Sequence, residues 1–339
     1  MKRIISGTAL IIILIISITA YYGYSVLFKS NTSGKEAFLL IPHGSEYNSI
    51  IDSLNSMKII KNMGNFKKVA RFEDLKETFK PGRYRIKPGM GNRELVRAIK
   101  YGWQTPLNIT ISGNIRTKEK LASVLARKIE CDSASMADML NNKEFADSLG
   151  FRPETFIAMF LPNTYEFYWT VSPRELALRF KKEYDKFWNA NRMAKAKSAG
   201  LTPEEVITLA SIVSEESNLK REYPKIAGVY LNRLKNGVAL QADPTVKFAL
   251  KDPSVKRILF KHLKIDSPYN TYKYRGLPPG PITIPPVPAI DGVLDYENHK
   301  FLYFCAKPEL DGSHSFAATI EEHHRNARAY QKAISKLKL

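Results

Sequence analysis

Hydrophobic positions in this chain change rhythm three times, and each rhythm predicts a different kind of element. The first is continuous. Residues 4–28, IISGTALIIILIISITAYYGYSVLF, carry no charge, and the run exceeds the roughly 20 residues an α-helix needs to cross a bilayer. Lys2 and Arg3 stand before it, and Tyr21, Tyr22 and Tyr24 near its end fit an interfacial aromatic belt. The apolar part is longer than the ~7–15-residue core of a secretory signal, and no small-residue cleavage pattern follows. The pattern predicts an uncleaved transmembrane anchor, with the amino terminus in the cytoplasm and everything after about Lys29 outside it. Residues 29–36, KSNTSGKE, read as a short polar tether, so that 1–36 forms tip, anchor and tether.

The second rhythm mixes strand and helix periods. FLLIP at 38–42 predicts a strand; Ile50, Ile51, Leu54, Ile59 and Ile60 then recur at helical spacing, and another helix follows near 63–77. Pro81-Gly82 and Pro88-Gly89 punctuate a turn, a short strand, a second turn and a helix ending near Gly102. These elements make a small α/β module over 37–104. Past it, LNITIS from Leu107 predicts a strand, with helices near 117–130, 135–148, 173–195 and 224–236, the last closed by Gly237. FLPNTYEFYW at 160–169 reads as a loop held by its aromatic flanks. The expectation is an α+β protein with a larger helix-rich domain over 105–339, in keeping with about 150 residues per domain.

The third rhythm lies in LTPEEVITLASIVSEES, Leu201–Ser217. Thr202, Pro203 and Glu205 form a capping-box signature, so a helix begins at Pro203. At about 100° per residue, Glu216 falls on the face of Leu209, Ile212 and Val213, whereas Glu215 falls with Glu204, Thr208 and Ser211. Burial of Glu216 would raise its pKa into the range a general acid needs near neutrality. The pattern leaves a second reading open, a helix that ends with both glutamates in solvent, and composition alone favours it.

With 44% apolar and 25% charged residues, the chain has an ordinary globular composition. A formal net charge of +19 and a pI near 9.7 suit an anionic envelope polymer or membrane surface. Lys and Arg are dispersed through helices such as 176–198, without zinc-finger or RNP-like spacing, so nucleic acid is not an expected partner. Cys131 and Cys305 have no metal-ligand spacing, and whether they pair is left open.

Downstream of Glu216 come LNRL (231–234), LQADPTV (240–246), SPYNTYKYRGLPPGPI (267–282) and GSHSF (312–316). Asn232, Gln241, Tyr269, Asn270, Thr271 and Tyr272 offer the amides, hydroxyls and aromatic faces that a polysaccharide requires, although singly each is an ordinary strand or turn residue. Asp243 and Thr245 join this candidate substrate-binding set, with a loop-capping role equally open for Asp243. His314 is expected to orient a site group or a sugar. His323-His324 with Glu321, Glu322 and His314 is the densest ligand-type cluster, but it lacks the His-Glu-x-x-His spacing of zinc peptidases. No metal or cofactor is expected, and His323 reads as structural.

In their order, ASIVSEES, YLNRL, LQADPTV, SPYNTY, GLPPGPI and HSF followed by His323 resemble the endolytic murein transglycosylases of the YceG-like family, over nearly the whole chain after the anchor. The resemblance implies a single-pass inner-membrane protein with a LysM-like module over 37–104 and a periplasmic catalytic domain. It also implies peptidoglycan glycan strands as substrate, 1,6-anhydro-MurNAc ends as product, a role in ending nascent strands, and cell-wall synthases as partners. The family's catalytic glutamate falls on Glu216. Ser214 stands where many relatives have Glu, Ile157 and Ala158 where they have Glu-Gly, and Asn163 where they have Asp, so those positions offer no second carboxylate. The alternative is a non-catalytic peptidoglycan-binding scaffold, which has no use for a buried acid at Glu216.

Overall fold

A computed structural model describes residues 2–252 and 254–337. The chain forms two compact units. One takes the residues up to Asn108 with Lys128–Cys131 and Glu166–Ser172; the other takes Ile109–Arg127, Asp132–Tyr165 and the chain from Pro173 onward.

In the first unit, α1 (Lys2–Phe28) is followed by β1 (Ala37–Ile41), α2 (Tyr47–Ser56), α3 (Met63–Phe72), the single turn α4 (Leu75–Thr78), β2 (Gly82–Ile86) and α5 (Asn92–Tyr101). β1 and β2 pair antiparallel with Leu39 opposite Tyr84. The pleat turns Leu39, Ile41, Tyr84 and Ile86 to one side, where Ile50, Leu54, Phe66, Val69, Leu95 and Ile99 close the core. The helix expected over 63–77 is two helices, because Asp74 adopts a left-handed φ of 53° between them.

Gly7–Phe28 of α1 is long and apolar enough to cross a membrane. Leu10 is 68% exposed and Ile13 60%, a continuous apolar surface of the kind that seeks lipid. Its last turn is different: Val26 belongs to the core of the first unit. Asn92 Nδ2 donates to the Val26 carbonyl at 2.7 Å, and Asn92 Oδ1 accepts from Asn31 Nδ2 at 2.6 Å. Thr32 Oγ1 donates to the Lys87 carbonyl at 2.8 Å, and Ser30 and Thr32 bridge to Gly91 and Ile60. The segment read as a short polar tether is thus docked on the first unit over Ser30–Thr32. The buried Asn31 and Thr32 side chains donate to the Asn62 and Lys87 carbonyls instead of reaching for water, and exposed Ser30 is held through its backbone.

The remaining elements are β3 (Leu107–Ile111), α6 (Lys118–Ala126), α7 (Ser133–Asn141), α8 (Lys143–Ser148), β4 (Asn163–Phe167), α9 (Pro173–Phe187), α10 (Ala190–Ala199), α11 (Pro203–Glu216), α12 (Tyr223–Lys235), α13 (Asp243–Leu250), α14 (Val287–Leu294), β5 (Tyr303–Ala306), β6 (His314–Ala317) and α15 (Ile320–Leu337). β3 pairs with β4 and β5 with β6, so the fold is helix-rich with three two-stranded sheets among the described residues. The stretch expected to be a loop at 160–169 contains β4, whose Tyr165 and Phe167 alternate with exposed Thr164 and Glu166. The helices expected over 135–148 and 173–195 each break in two. Asn142 and Asn189 accept from Phe145 N at 2.8 Å and Arg192 N at 3.1 Å, capping the second helix of each pair.

Helix α11 is central to the second unit, with α12 and α14 packed on it. Every residue from Val206 to Val213 is buried, so the one-sided stripe expected from sequence is a helix buried around its circumference. Thr208 and Ser211, expected in solvent, are buried because their hydroxyls find partners at home. Thr208 Oγ1 donates to the Glu204 carbonyl at 2.8 Å; Ser211 Oγ donates to the Thr208 carbonyl at 2.7 Å and accepts from Ile282 N at 3.0 Å.

Replacing Asn92 by Ala should destabilise the first unit by about 1–3 kcal/mol, since it strands a buried carbonyl and a buried amide. Urea unfolding measures the loss, and trypsin cleavage after Lys29 should accelerate in the variant. Equal cleavage rates in both proteins would mean that residues 29–36 are loose after all.

Candidate active site

The capping box at the start of α11 sets the phase of everything after it. Glu205 N donates to Thr202 Oγ1 at 3.3 Å, and Thr202 N donates to Glu205 Oε2 at 2.8 Å. Fourteen residues on, the helix ends at Glu216. Glu216 opens on a cleft of about 400 Å³ that Tyr230, Arg233, Gln241, Asp243, Tyr272, Tyr303, Phe304, His323 and His324 also line.

Tyr230, two helical residues before Asn232 and almost wholly buried, donates its hydroxyl to Glu216 Oε1 at 2.7 Å. Burial pushes the Glu216 carboxyl up to about 7; the Tyr230 bond opposes that rise, and the charges of Asp243 and Glu215 add to it. Burial likewise drives the Tyr230 phenol well above its ordinary range, reinforced by Glu216, so it stays a donor. Glu215 is not the solvated neighbour expected. It is half-buried and paired with Arg116, because the end of a helix buried all round has no fully wet side.

Asp243 is the first residue of α13 and is exposed; no side chain caps that helix. Its Oδ1 accepts from the Tyr272 hydroxyl at 2.6 Å, and burial with the Asp243 bond raises the Tyr272 phenol above its usual range. Gln241 also faces the cleft, its Oε1 accepting from Arg233 Nη1 at 3.2 Å.

Several candidates serve the frame rather than the cleft. Thr245, Asn270 and Thr271 are at most 1% exposed. Thr271 Oγ1 accepts from Ala242 N at 3.0 Å and meets Thr245 Oγ1 at 2.9 Å, while Asn270 Nδ2 donates to the Leu263 and Ile265 carbonyls at 2.9 and 2.8 Å. Together they hold the two loops that carry Asp243 and Tyr272. Asn232 donates to the His299 and Phe301 carbonyls at 2.7 and 3.0 Å. Tyr269 packs on Phe248, ring centres 4.7 Å apart, in a separate cleft of about 620 Å³ that lacks Glu216.

His314 acts one step away from the acid. Its N and Nδ1 contact Glu222 Oε1 and Oε2 at 2.9 and 2.8 Å, and Ser217 Oγ donates to Glu222 Oε2 at 3.0 Å. Burial would raise the Glu222 carboxyl, but the bonds from His314 and Ser217 outweigh it and hold it below the usual range. The residue that follows Glu216 is thereby fixed.

Tyr230 and Arg233 are cleft residues that sequence reasoning missed, as are Tyr303 and Phe304, and His323, read as structural, also lines the cleft. Tyr230 and Arg233 lie three apart on α12, whereas Asn232 points elsewhere. Helical phase along YLNRL, the signal that places Glu216 on α11, also places Tyr230 and Arg233 together on one face of α12. Among the described residues, no three His, Cys, Asp or Glu side chains gather where a metal would sit.

Glu216 holds its proton more tightly folded, near 7, than at its ordinary value of 4.5. Its contribution to stability is therefore full below about 4.5 and is lost as pH rises through about 7. At pH 8, Glu216→Gln should be more stable than the parent by up to about 3 kcal/mol, with the advantage gone at pH 4. Urea titrations at the two pH values test this; a variant less stable at pH 8 would place the carboxylate in solvent.

Comparison with known proteins converges on one family. The sequence profile of the YceG-like family matches residues 39–329. A Bacillus subtilis (strain 168) protein named endolytic murein transglycosylase is 28% identical over 336 residues, covering 94% of this chain and 91% of that one. A Streptococcus pneumoniae protein of the same name is 26% identical; the match covers 94% of this chain but 63% of that longer protein. The crystal structure of a yceG-like protein from Listeria monocytogenes superposes with a TM-score of 0.56 at 27% identity, covering 86% of this chain and 99% of that one. By the extent of the profile match, this chain belongs to the YceG-like family.

Proposed function

We propose that the protein is a membrane-anchored endolytic peptidoglycan lytic transglycosylase, cutting the MurNAc–GlcNAc bond within glycan strands to leave 1,6-anhydro-MurNAc ends. The observation that carries this reading is one carboxyl group, Glu216, brought to about 7 in a polar cleft and held by a neutral donor. Relatives named endolytic murein transglycosylase support it.

A hydrolytic glycosidase ordinarily needs two carboxylates, one of them to activate water or attack the sugar. Here the second carboxylate of the cleft, Asp243, is engaged by Tyr272. Transglycosylation needs a single acid. Glu216 gives its proton to the glycosidic oxygen as the bond from that oxygen to C1 of MurNAc breaks. The C6 hydroxyl oxygen of the same MurNAc closes on C1, and its proton returns to Glu216. The two products sum to the mass of the substrate, and no water enters. Tyr230 fixes Oε1, which leaves Oε2 for the travelling proton.

In this reading α1 lies in the inner membrane with its amino terminus in the cytoplasm, and the rest of the chain is periplasmic. The β1–α2–α3–α4–β2 order of the first unit, two ten-residue helices and one short turn of helix between paired antiparallel strands, supports a LysM-like, glycan-directed module. Cutting strands near the membrane, beside the cell-wall synthases, would end their elongation.

Glu216→Gln should keep glycan binding and lose about 10²- to 10⁴-fold in strand cleavage. In the parent, kcat/KM should fall about tenfold per pH unit above about 7, as the acid form is lost. Glu215→Gln should stay active with that limb moved to lower pH, because the Glu215 charge helps raise Glu216. Mass spectrometry of digested strands identifies the chemistry: ends heavier by one water would mean a hydrolase and turn attention to Asp243. For topology, alkaline phosphatase fused to the C-terminus should be active; an inactive fusion would reverse the orientation and remove access to the wall.

A further inference from the structure

Arg233 lines the same cleft as Glu216 and is only 7% exposed. Its Nε donates to the Leu302 carbonyl at 2.6 Å. Its Nη1 donates to the carbonyls of Ala239 and Leu240 at 2.9 and 3.0 Å and to Gln241 Oε1 at 3.2 Å. All four acceptors are neutral. Among the described residues no carboxylate is in ion-pair contact with the guanidinium, and Nη2 has no hydrogen-bond partner. The Tyr303 ring lies 5.2 Å from the guanidinium carbon, so the fork is clamped on one edge and one face.

A buried cation without a counter-ion is costly, and proteins retain one where something supplies the missing negative charge or strong acceptor. The neighbours in the cleft do not supply it. Asp243 and Glu216 take their hydrogen bonds from the neutral hydroxyls of Tyr272 and Tyr230, and neither carboxyl is in ion-pair contact with the guanidinium. Fastening the 239–241 loop uses Nη1 and the bond to Leu302 uses Nε, which leaves the Nη2 edge unexplained by a framework role.

We infer that Arg233 is a specificity residue that reads the lactyl group on O3 of muramic acid, and so selects which of the two alternating sugars presents its C1 to Glu216. This rests on the reading of the cleft as a peptidoglycan site. The two sugars of the strand share ring, hydroxyls and acetamido group; the lactyl ether is the difference between them. As a free acid it carries a carboxylate, and when joined to a stem peptide it carries an amide carbonyl. A guanidinium donates to both, more strongly to the charged form. A cleft that recognised only the shared groups would accept the strand one sugar out of register, with the wrong bond above the acid.

Titration calorimetry on the full chain in detergent, in the Glu216→Gln background so that nothing turns over, tests the assignment. Three ligands of equal length serve as probes: a GlcNAc–MurNAc tetrasaccharide with free lactyl acids, its lactyl methylamide, and chitotetraose. The acid should bind at least about tenfold tighter than chitotetraose, with the amide between them. Adding Arg233→Gln should bring all three within about twofold while chitotetraose affinity holds; the variant also gives up framework bonds to Leu302, Ala239 and Leu240, so its thermal midpoint falls, and the unchanged chitotetraose affinity is what separates lost recognition from a merely structural loss. Arg233→Lys, which keeps the charge without the fork, should retain part of the preference for the acid. Equal affinity for the three ligands in the Glu216→Gln parent overturns the proposal even if no Arg233 variant folds, and so does a preference that survives Arg233→Gln. Because this experiment involves no cleavage, failure of the transglycosylase chemistry appears separately, in the product masses.

Discussion

A carboxyl group on the last residue of a buried helix faces the carbonyl end of that helix, where a negative charge is least favoured. Any fold that places an acid there must hold it in position without ionising it. This chain does so with a neutral hydroxyl from Tyr230. Glu73, in the first unit, shows the other solution: burial would raise its carboxyl, but Arg93 and Arg97 each bond it at 3.0 Å and hold it below the usual range. A guanidinium in place of the Tyr230 hydroxyl would do the same to Glu216 and remove its use as a proton donor near neutrality.

The surrounding polar groups keep that arrangement in place. Ser217, Glu222 and His314 fix the chain just beyond the acid, and Thr245, Asn270 and Thr271 fix the loops that bring Asp243 and Tyr272 to the cleft. Few of the motif residues face the cleft directly. Most lie beneath it, satisfying buried backbone groups whose misplacement by an ångström would misplace the site.

The placement of the Glu216 carboxyl was legible in sequence because a capping box fixes the start of α11 and helical phase carries that information to Glu216. The same phase argument failed for Glu215, Thr208 and Ser211. It assumes one wet face, and hydroxyls that bond back to their own helix let α11 be buried all round. Asn232 has the amide a sugar would need, but its position on α12 turns it toward the 299–301 loop, while Tyr230 and Arg233 face the cleft. The helix breaks at Asn142 and Asn189 were readable as caps, but long apolar periodicity on both sides masked them. The order of elements in the first unit followed from turn chemistry at Pro81-Gly82 and Pro88-Gly89. The pinning of Ser30–Thr32 did not, because its partners Ile60, Lys87, Gly91 and Asn92 are far away in sequence.

That pinning has a mechanical meaning. A leash of free residues would let a folded body rotate and wander around its attachment, whereas Val26 in the core and Ser30 bridged to Gly91 turn the end of α1 into a stalk. Gly91 has no room for a side chain, since a β-carbon there would sit 2.7 Å from the Phe28 carbonyl oxygen. A helix held in a bilayer would therefore transmit its tilt to the first unit, and the unit would keep a set heading relative to the lipid surface.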